Sequence, residues 1–178
     1  MSKVNQHRNV PTIESGNTNS SNGVEAMIAK YGVADTFLDT EKLPWVKYVA
    51  ENMWYKPLRF DTANHRTDII LDIRAPGVLG RHQHQGEVTA YTIAGSWHYK
   101  EYDWVARAGD VVHESPGGIH TLVAGEQGMK TLFHIVGPID FFGDDGSFTG
   151  EQSVFWWMAE YVKHCRKTGL AVEKRLFY

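Results

Sequence analysis

The sequence predicts an all-β domain, an antiparallel sandwich or barrel, with a short helix before it and a longer helix after it. Between Trp45 and Val136, short apolar or alternating runs are separated by Gly, Pro, Asp or Asn every eight to twelve residues, which is typical of such β folds. Helical spacing without Gly or Pro appears only outside this region. The 178 residues are 42% hydrophobic and 12% aromatic, a composition that fits one globular domain.

The chain begins with a segment that has little to bury. Residues 1–23 are rich in Asn, Ser and Gly, so we expect a flexible arm, followed by a single domain over residues 24–178. Val24 to Tyr31 has the pattern of a short helix, and Pro44 ends any helical continuation. Extended structure is expected from that point.

Six strands are the clearest in the central region. They are predicted at Trp54–Phe60, Thr67–Ile73, Thr89–Ile93, Ser96–Tyr99, Asp110–Glu114 and Thr131–Val136. Asp144-Asp145-Gly146-Ser147 predicts a tight turn that closes a further hairpin. A C-terminal helix is expected over 151–168, where Val154, Met158, Tyr161, Val162 and Cys165 fall at helical spacing, and Gly169 is placed to end it.

Charge and cysteine content exclude several classes of function. The net charge is −3 and no Lys/Arg-rich block occurs, so neither nucleic acid nor an anionic membrane is an expected partner, and a small molecule is. Cys165 is the only cysteine, which rules out an intramolecular disulfide and disfavours a Cys-based zinc site. No apolar run approaches the roughly 20 residues of a membrane span, and a cytoplasmic location is the default expectation.

Three histidines form the most informative pattern in the chain. His82 and His84 are two residues apart, so on a strand both imidazoles point to one face. His120 follows in Pro116-Gly117-Gly118-Ile119-His120, eleven residues after Gly109. Imidazole nitrogen suits iron, copper, zinc and nickel, so this pattern predicts a metal site without choosing the metal.

These residues resemble the two signature motifs of the cupin family. Gly77, His82, His84, Glu87 and Gly95 match the first motif, and Gly109, Pro116, Gly117 and His120 match the second. The resemblance implies a cupin double-stranded β-helix, a jelly-roll barrel, with the motifs on adjacent strands. Glycine fits the sharp strand ends of a small barrel because other residues disfavour the backbone conformations needed there.

One position departs from the cupin pattern. Counting back from Gly95, Val88 stands where many cupins carry a metal-binding Glu, and Glu87 lies one residue earlier, on the opposite face of a strand. Either a bulge brings Glu87 to the metal, or the site has three histidines and no carboxylate; the second alternative is favoured. Glu87 remains a candidate catalytic base or partner of a ligand histidine.

A closer resemblance covers most of the chain from Trp45 onward. Trp54–Phe60, Arg81–His84, Gly95–Tyr99, Asp103–Ala106 and His120–Val123 are similar to the 2,4'-dihydroxyacetophenone dioxygenases, and Gly137–Phe141 has a weaker similarity to β-diketone-cleaving cupins. The resemblance implies one Fe(II) per subunit held by His82, His84 and His120, with O2 as co-substrate. It further implies cleavage of a C–C bond in an aromatic α-hydroxyketone, here to 4-hydroxybenzoate and formate, or in a related dicarbonyl compound.

An electrostatic argument favours the same chemistry. Three uncharged imidazoles leave the Fe(II) charge uncompensated in a poorly polarisable barrel, so an anionic chelating ketone is the expected substrate. Tyr91, Trp97 and His134 are candidate pocket residues, although a core role bonded to a carbonyl is the more favoured interpretation of His134.

Two other functions stay open at this point. One is a metal-dependent cupin isomerase or lyase that uses no oxygen, and the other is a metal-binding sensor module similar to the cupin domains of bacterial anti-sigma factors. The resemblance to cupins also implies a homo-oligomer, a dimer or tetramer, because cupins often assemble through sheet edges and terminal arms.

Overall fold

The computed structural model describes residues 18–32, 34–74 and 76–178. Within them lie two α-helices, α1 (Thr18–Tyr31) and α2 (Val154–Thr168), and short 3-10 turns at Thr40–Lys42 and Lys174–Leu176. The strands are β1 (Val46–Lys47), β2 (Met53–Asp61), β3 (Arg66–Ile73), β4 (Gly77–His84), β5 (Val88–Tyr99), β6 (Ala106–Arg107), β7 (Val111–Glu114), β8 (Ile119–Val136), β9 (Ile139–Phe142) and β10 (Phe148–Gln152). The predicted all-β class with two flanking helices is confirmed.

The chain divides into two compact units. Helix α1 lies in the first unit, and the second runs from Leu38 to Tyr178. The helix predicted at Val24–Tyr31 is present but begins six residues earlier, at Thr18. Residues 1–17 of the predicted arm lie outside the described residues.

The strands form one curled antiparallel sheet in which β8 is the central element. The first part of β8, Ile119–Ala124, pairs with β4 and with the end of β5. Its second part, Met129–Val136, pairs with β3 and with the beginning of β5. The start of β8 therefore lies between β4 and the end of β5 in the sheet.

Glycine is required where β5 and β8 bend together. Gly95 has a φ of 71°, and a Cβ there would lie 2.1 Å from the carbonyl oxygen of Gly128. Gly128 itself has a φ of 76°. The expectation that a motif glycine permits a sharp bend therefore holds at Gly95.

The core lies inside the curled sheet and beneath α2. Its largest fully buried side chains are aromatic: Trp97, Trp157, Tyr55, Tyr99, Tyr161 and Phe60. Along β5, Val88, Ala90 and Thr92 are buried and their neighbours are not, so the period of two predicted from the sequence sets the inner face.

Helix α2 ends as predicted and begins later than predicted. Gly169 caps it in the left-handed conformation, and its N–H donates to the carbonyl of Cys165. The start is at Val154 because the preceding residues, predicted as the first turn of the helix, pair with β9. Trp157 packs inward against Tyr48 and Tyr55. No helix in the part of the chain that the structure describes is long and apolar enough to span a membrane.

Candidate metal centre

Strand β4 carries the first two histidines of the centre. His82 and His84 are both buried, with the half-buried Gln83 between them. A shift in the pairing of β4 with β8 lies between Leu79 and His82, and regular pairing resumes at His82. The alternation predicted for a His-x-His pair on a strand is therefore present.

His120 joins this pair from the beginning of β8. It lies directly opposite His82 in the antiparallel pairing of β4 and β8, and it is also buried. The turn before it is tied to β4, since the N–H of Gly117 donates to the carbonyl of His84 at 2.9 Å. Gly117 has a φ of 89°, a conformation that glycine adopts without strain. The ligand atoms of the three histidines all lie within 4.8 Å of one another.

The free polar atoms of this cluster fit a bound metal ion. His82 Nδ1 lies 2.7 Å from the carbonyl oxygen of Gly80, so Nδ1–H donates there and Nε2 is left as the ligand atom. His84 has no hydrogen-bond partner on either ring nitrogen, and Nε2 of His120 has none either. Leaving such buried groups unpaired costs about 1–3 kcal/mol each, which coordination of a transition metal would offset.

Glu114, the last residue of β7, places a carboxylate beside these histidines. Its Oε2 lies 3.2 Å from Nε2 of His84 and 3.4 Å from Nε2 of His120. The side chain is buried, and neither oxygen has a hydrogen-bond partner. The site therefore contains four buried titratable groups, not the three histidines alone that the sequence favoured.

The position of Glu114 explains the departure at Val88. Val88 on β5 pairs directly with Glu114 on β7. The carboxylate thus reaches the centre from the strand next to the one where many cupins carry it. In the sequence, Glu114 was only the last residue of a predicted strand. In the structure its burial follows the alternation of β7, in which Val112 is half-buried and His113 is exposed.

Burial controls the protonation of all four groups. It lowers the pKa of His82, lowers that of His84 to about 2, and lowers that of His120 to about 4. It raises the pKa of Glu114 to about 7. At neutral pH the imidazoles are therefore unprotonated, as metal ligands must be.

Aromatic rings fix the orientation of two ligand histidines. The ring of Tyr99 stacks on that of His120 with centroids 3.6 Å apart and an interplanar angle of 9°. Phe141 packs on His82 with centroids 5.6 Å apart. Burial raises the pKa of Tyr99 well above its ordinary value, and the neighbouring carboxylate of Glu114 raises it further.

Two cavities meet at the cluster. An outer pocket leaves about 230 Å³ free for the centre of a water-sized molecule, and its lining includes Tyr102, Trp104, Val112, Glu114 and His120. A much smaller inner cavity, about 20 Å³ on the same measure, is lined by His82, His84 and a set of aliphatic and aromatic side chains. Tyr99 lines both spaces.

The structure does not bring Glu87 to the centre. Its side chain is exposed, whereas Val88 is 1% exposed and faces inward. Val88 pairs in register with both neighbouring strands, so no bulge at this point turns Glu87 inward.

The three predicted pocket residues lie elsewhere. Tyr91 is on the outward face of β5, because it has the opposite parity to Ala90 and Thr92. His134 also faces outward, and its Nδ1 lies 2.8 Å from Oδ1 of Asp68, a carboxylate and not the expected carbonyl. Trp97 is buried, donates from Nε1 to Oγ1 of Thr92 at 2.9 Å, and packs behind Tyr99 without lining either cavity.

Comparison with known proteins places this centre in a family context. The profile of the ChrR cupin-like domain matches residues 33–140, more than half of the chain. An RmlC-like cupin protein from Ralstonia eutropha is 27% identical, with a TM-score of 0.76 over 80% of this chain and 94% of that chain. A second Ralstonia eutropha protein, described as having unknown function and a cupin-like fold, is 25% identical, with a TM-score of 0.69 over 78% and 93% of the two chains.

A more distant structure shares the fold alone. An acetylacetone dioxygenase from Acinetobacter johnsonii is 14% identical, with a TM-score of 0.68 over 74% of this chain and 93% of that chain. No protein of curated function matches the chain.

Proposed function

The chain belongs to the ChrR cupin-like domain family, and from this premise we propose that it is a non-haem Fe(II) dioxygenase. Its substrate is an aromatic α-hydroxyketone, such as 2,4'-dihydroxyacetophenone, or a related dicarbonyl compound, in which it cleaves a C–C bond. The observation that carries the proposal is the buried cluster of His82, His84 and His120 with the carboxylate of Glu114 beside it.

The three histidines are the groups that would hold the metal. Each is buried and neutral at pH 7, and each has a ring nitrogen free for coordination. When bound, Fe(II) supplies a Lewis acid that polarises the ketone and the electrons with which O2 is activated. The remaining steps belong to the side chains of the chain itself.

Glu114 is the group that would take the proton from the substrate. Its carboxylate lies beside the ligand histidines His84 and His120, and it lines the outer pocket in which the ketone would bind. When the proton moves from the hydroxyketone to Glu114, the negative charge moves from the carboxylate to the substrate. The total charge of the buried centre is then unchanged, which avoids the cost of adding a charge to a desolvated site.

This role modifies the electrostatic argument from the sequence. That argument assumed a centre of neutral ligands only, and Glu114 supplies a negative charge before substrate arrives. An anionic chelate is still favoured. Glu114 is neutral once it has taken the proton of the substrate, and the negative charge of the chelate would then compensate the charge of the metal.

The outer pocket supports an aromatic substrate. Tyr102 and Trp104 stack with centroids 5.8 Å apart and an interplanar angle of 14°, and they line the pocket together with Tyr99. A planar ring placed against this wall would direct its ketone side chain toward His120 and Glu114. The space of about 230 Å³ accommodates a molecule of this size.

The overall reaction balances without a further reductant. One 2,4'-dihydroxyacetophenone and one O2 give one 4-hydroxybenzoic acid and one formic acid, so both oxygen atoms enter products. The name of the Acinetobacter enzyme states a dioxygenase acting on a diketone, and at 14% identity its likeness extends to the fold. The substrate assignment therefore depends on the pocket and on the resemblance of the sequence motifs.

Oxygen uptake tests the proposal. The protein is purified without air, loaded with Fe(II), and mixed with 2,4'-dihydroxyacetophenone or acetylacetone in an oxygen electrode. We expect uptake that depends on both iron and ketone. Iron-loaded protein that consumes no oxygen with any hydroxyketone or diketone would contradict the proposal and would favour a non-oxidative cupin or a metal-binding sensor.

A further inference from the structure

The inner cavity beside the histidines differs from the outer pocket in size and in chemistry. About 20 Å³ is free there for the centre of a water-sized molecule, against about 230 Å³ in the outer pocket. The volume that a molecule occupies is larger than the space open to its centre, so the inner cavity has room for a molecule of a few heavy atoms. The inner cavity therefore admits one small molecule, and an aromatic ketone of eleven non-hydrogen atoms does not fit without displacing the core.

The walls of this cavity favour an apolar occupant. Every residue that lines it is buried, and Leu79, Leu122, Ile135 and Ile139 contribute aliphatic surface. Tyr48 also lines it, but its hydroxyl is engaged with Oε1 of Gln152 at 2.5 Å. The polar atoms of the two histidines and of Tyr99 contribute none of the cavity's surface. A bound water needs two to four polar partners, whereas apolar cavities of this kind stay dry and bind xenon or other apolar molecules.

The cavity opens onto the site where oxygen would be used. His82 and His84 form part of its wall, while His120 and Glu114 face the outer pocket. A molecule in the inner cavity would therefore contact His82 and His84, and a ketone in the outer pocket would contact His120 and Glu114, with the ring of Tyr99 lining both spaces. Two substrates of unequal size and polarity match two spaces of unequal size and polarity.

We propose that the inner cavity is a dioxygen-binding site, distinct from the pocket for the organic substrate. O2 is apolar and diatomic, so it fits both the volume and the lining. The inference rests on the proposed dioxygenase function for its kinetic consequences, but the affinity of the cavity for an apolar gas is measurable without turnover.

Xenon is the probe for the cavity itself. Crystals of the iron-loaded protein, kept free of oxygen, are pressurised with xenon and the anomalous signal is mapped. We expect xenon between the ring of His82 and the side chains of Leu79 and Leu122. A cavity that holds ordered water under xenon pressure, or no xenon at all, would overturn the proposal.

Filling each space in turn tests the separation of the two substrates. Leu79→Phe, on β4, and Ile139→Phe, on β9, each add bulk to the inner cavity. Added bulk displaces O2 from its apolar contacts, and losing a methylene-sized contact corresponds to about a fourfold change in affinity. We therefore expect the KM for O2 to rise by about fourfold or more, while the KM for the ketone changes by less than about twofold. Val112→Phe is the matched control, because it places a phenylalanine in the outer pocket instead. For this variant we expect the KM for the ketone to rise and the KM for O2 to change little.

The outcomes separate this inference from the proposed function. Variants that keep the wild-type iron content and melting temperature but show an unchanged KM for O2, or a raised KM for the ketone, would overturn the inference and leave the dioxygenase proposal standing. Wild-type protein that consumes no oxygen would contradict the proposed function, and the xenon map would still decide whether the cavity binds an apolar gas. If one filling variant does not fold, the other tests the same space from a different strand.

Discussion

At the scale of single residues, the centre depends on four buried side chains of which the sequence pattern identified three. The spacing of His82, His84 and His120 was sufficient, because a period of two on one strand and a fixed step to the next motif place imidazoles on one face. Glu114 was missed because its contribution depends on which strand lies beside β5, and that neighbour is set by the curling of the whole sheet. A single strand pattern carries no such information.

The first prediction concerns metal content. His82→Ala, His84→Ala and His120→Ala should each lose most of the bound iron, since each removes one of three ligand nitrogens. Glu87→Ala is the control, because that side chain is exposed, and it should keep the wild-type iron content. Elemental analysis of purified protein measures both; iron loss in the Glu87 variant would mean that the exposed face contributes to the centre.

The second prediction concerns Glu114. Glu114→Gln has the same shape but accepts no proton, so kcat should fall by about 10²-fold or more, the range that a general base contributes. Iron content should stay near that of the wild type, because three histidines remain. Elemental analysis and oxygen uptake on the same preparation give both values. Unchanged kcat would contradict the proposed proton transfer, and loss of iron would mean that Glu114 is itself a ligand.

The third prediction concerns the pH dependence of the metal-free protein. The unfolded chain protonates its histidines near pH 6.5, whereas burial lowers the pKa of His84 to about 2 and of His120 to about 4. Their contribution to stability is therefore present above pH 6.5 and is lost as the pH falls toward those lower values. Glu114 acts in the opposite sense, because its pKa is raised to about 7 and its contribution is lost as the pH rises through that value.

Three histidines outweigh one carboxylate, so acid should destabilise the metal-free protein. Between pH 6.5 and 4 each histidine contributes a slope of up to about 1.4 kcal/mol per pH unit to the free energy of unfolding. Urea denaturation at several pH values measures the slope, and His120→Gln should reduce it. A free energy of unfolding that stays constant or increases as the pH falls would contradict the assignment of these histidines as buried and neutral.

At the scale of secondary-structure elements, the long strand β8 is the feature that assembles the centre. Its beginning carries His120 and pairs with the histidine strand β4, and its remainder pairs with β3 and β5. The sequence predicted only the last third of this strand, at Thr131–Val136, and Gly125 and Gly128 lie in its middle. Pairing with β5 on one side and β3 or β4 on the other holds the strand on either side of these glycines, at Ile119–Ala124 and Met129–Val136.

The fourth prediction concerns the bend that these strands share. Gly95→Ala places a Cβ 2.1 Å from the carbonyl oxygen of Gly128 and requires a positive φ, so the free energy of unfolding should fall by about 2 kcal/mol or more. Gly80→Ala adds the same methyl group to β4, where no atom lies within 4 Å, and should change stability by less than about 1 kcal/mol. Chemical denaturation of both variants measures the contrast; equal effects would contradict the proposed role of the bend.

At the scale of the whole molecule, the fold could be predicted from the sequence pattern, whereas the arrangement of the cavities could not. Regularly spaced short strands and turn residues predicted an all-β domain, and the structure has a curled antiparallel sheet with the C-terminal helix ending at the predicted glycine. Tyr91 and His134, which were candidates for the pocket, lie outside because inward or outward parity on a strand depends on the register set by its neighbours. The predicted homo-oligomer stays a prediction.

The two spaces around the histidines are likewise a property of the whole sheet. Side chains of β3, β4, β5, β8, β9 and α2 line the inner cavity, and those of β5, β7, the start of β8 and the loops beside them line the outer pocket. Tyr99 lines both, and the molecule has one space suited to a gas and another suited to an aromatic ketone. No single segment of the sequence indicates this division.

The measurement that tests the central claim most directly is the fate of isotopically labelled oxygen. Iron-loaded protein is mixed with 2,4'-dihydroxyacetophenone under ¹⁸O2, and the products are analysed by mass spectrometry. The proposed cleavage predicts one labelled oxygen atom in 4-hydroxybenzoate and one in formate, with one O2 consumed for each ketone. Products without the label, or ketone left intact by protein that holds iron at His82, His84 and His120, would contradict the assignment of this chain as a C–C-cleaving dioxygenase.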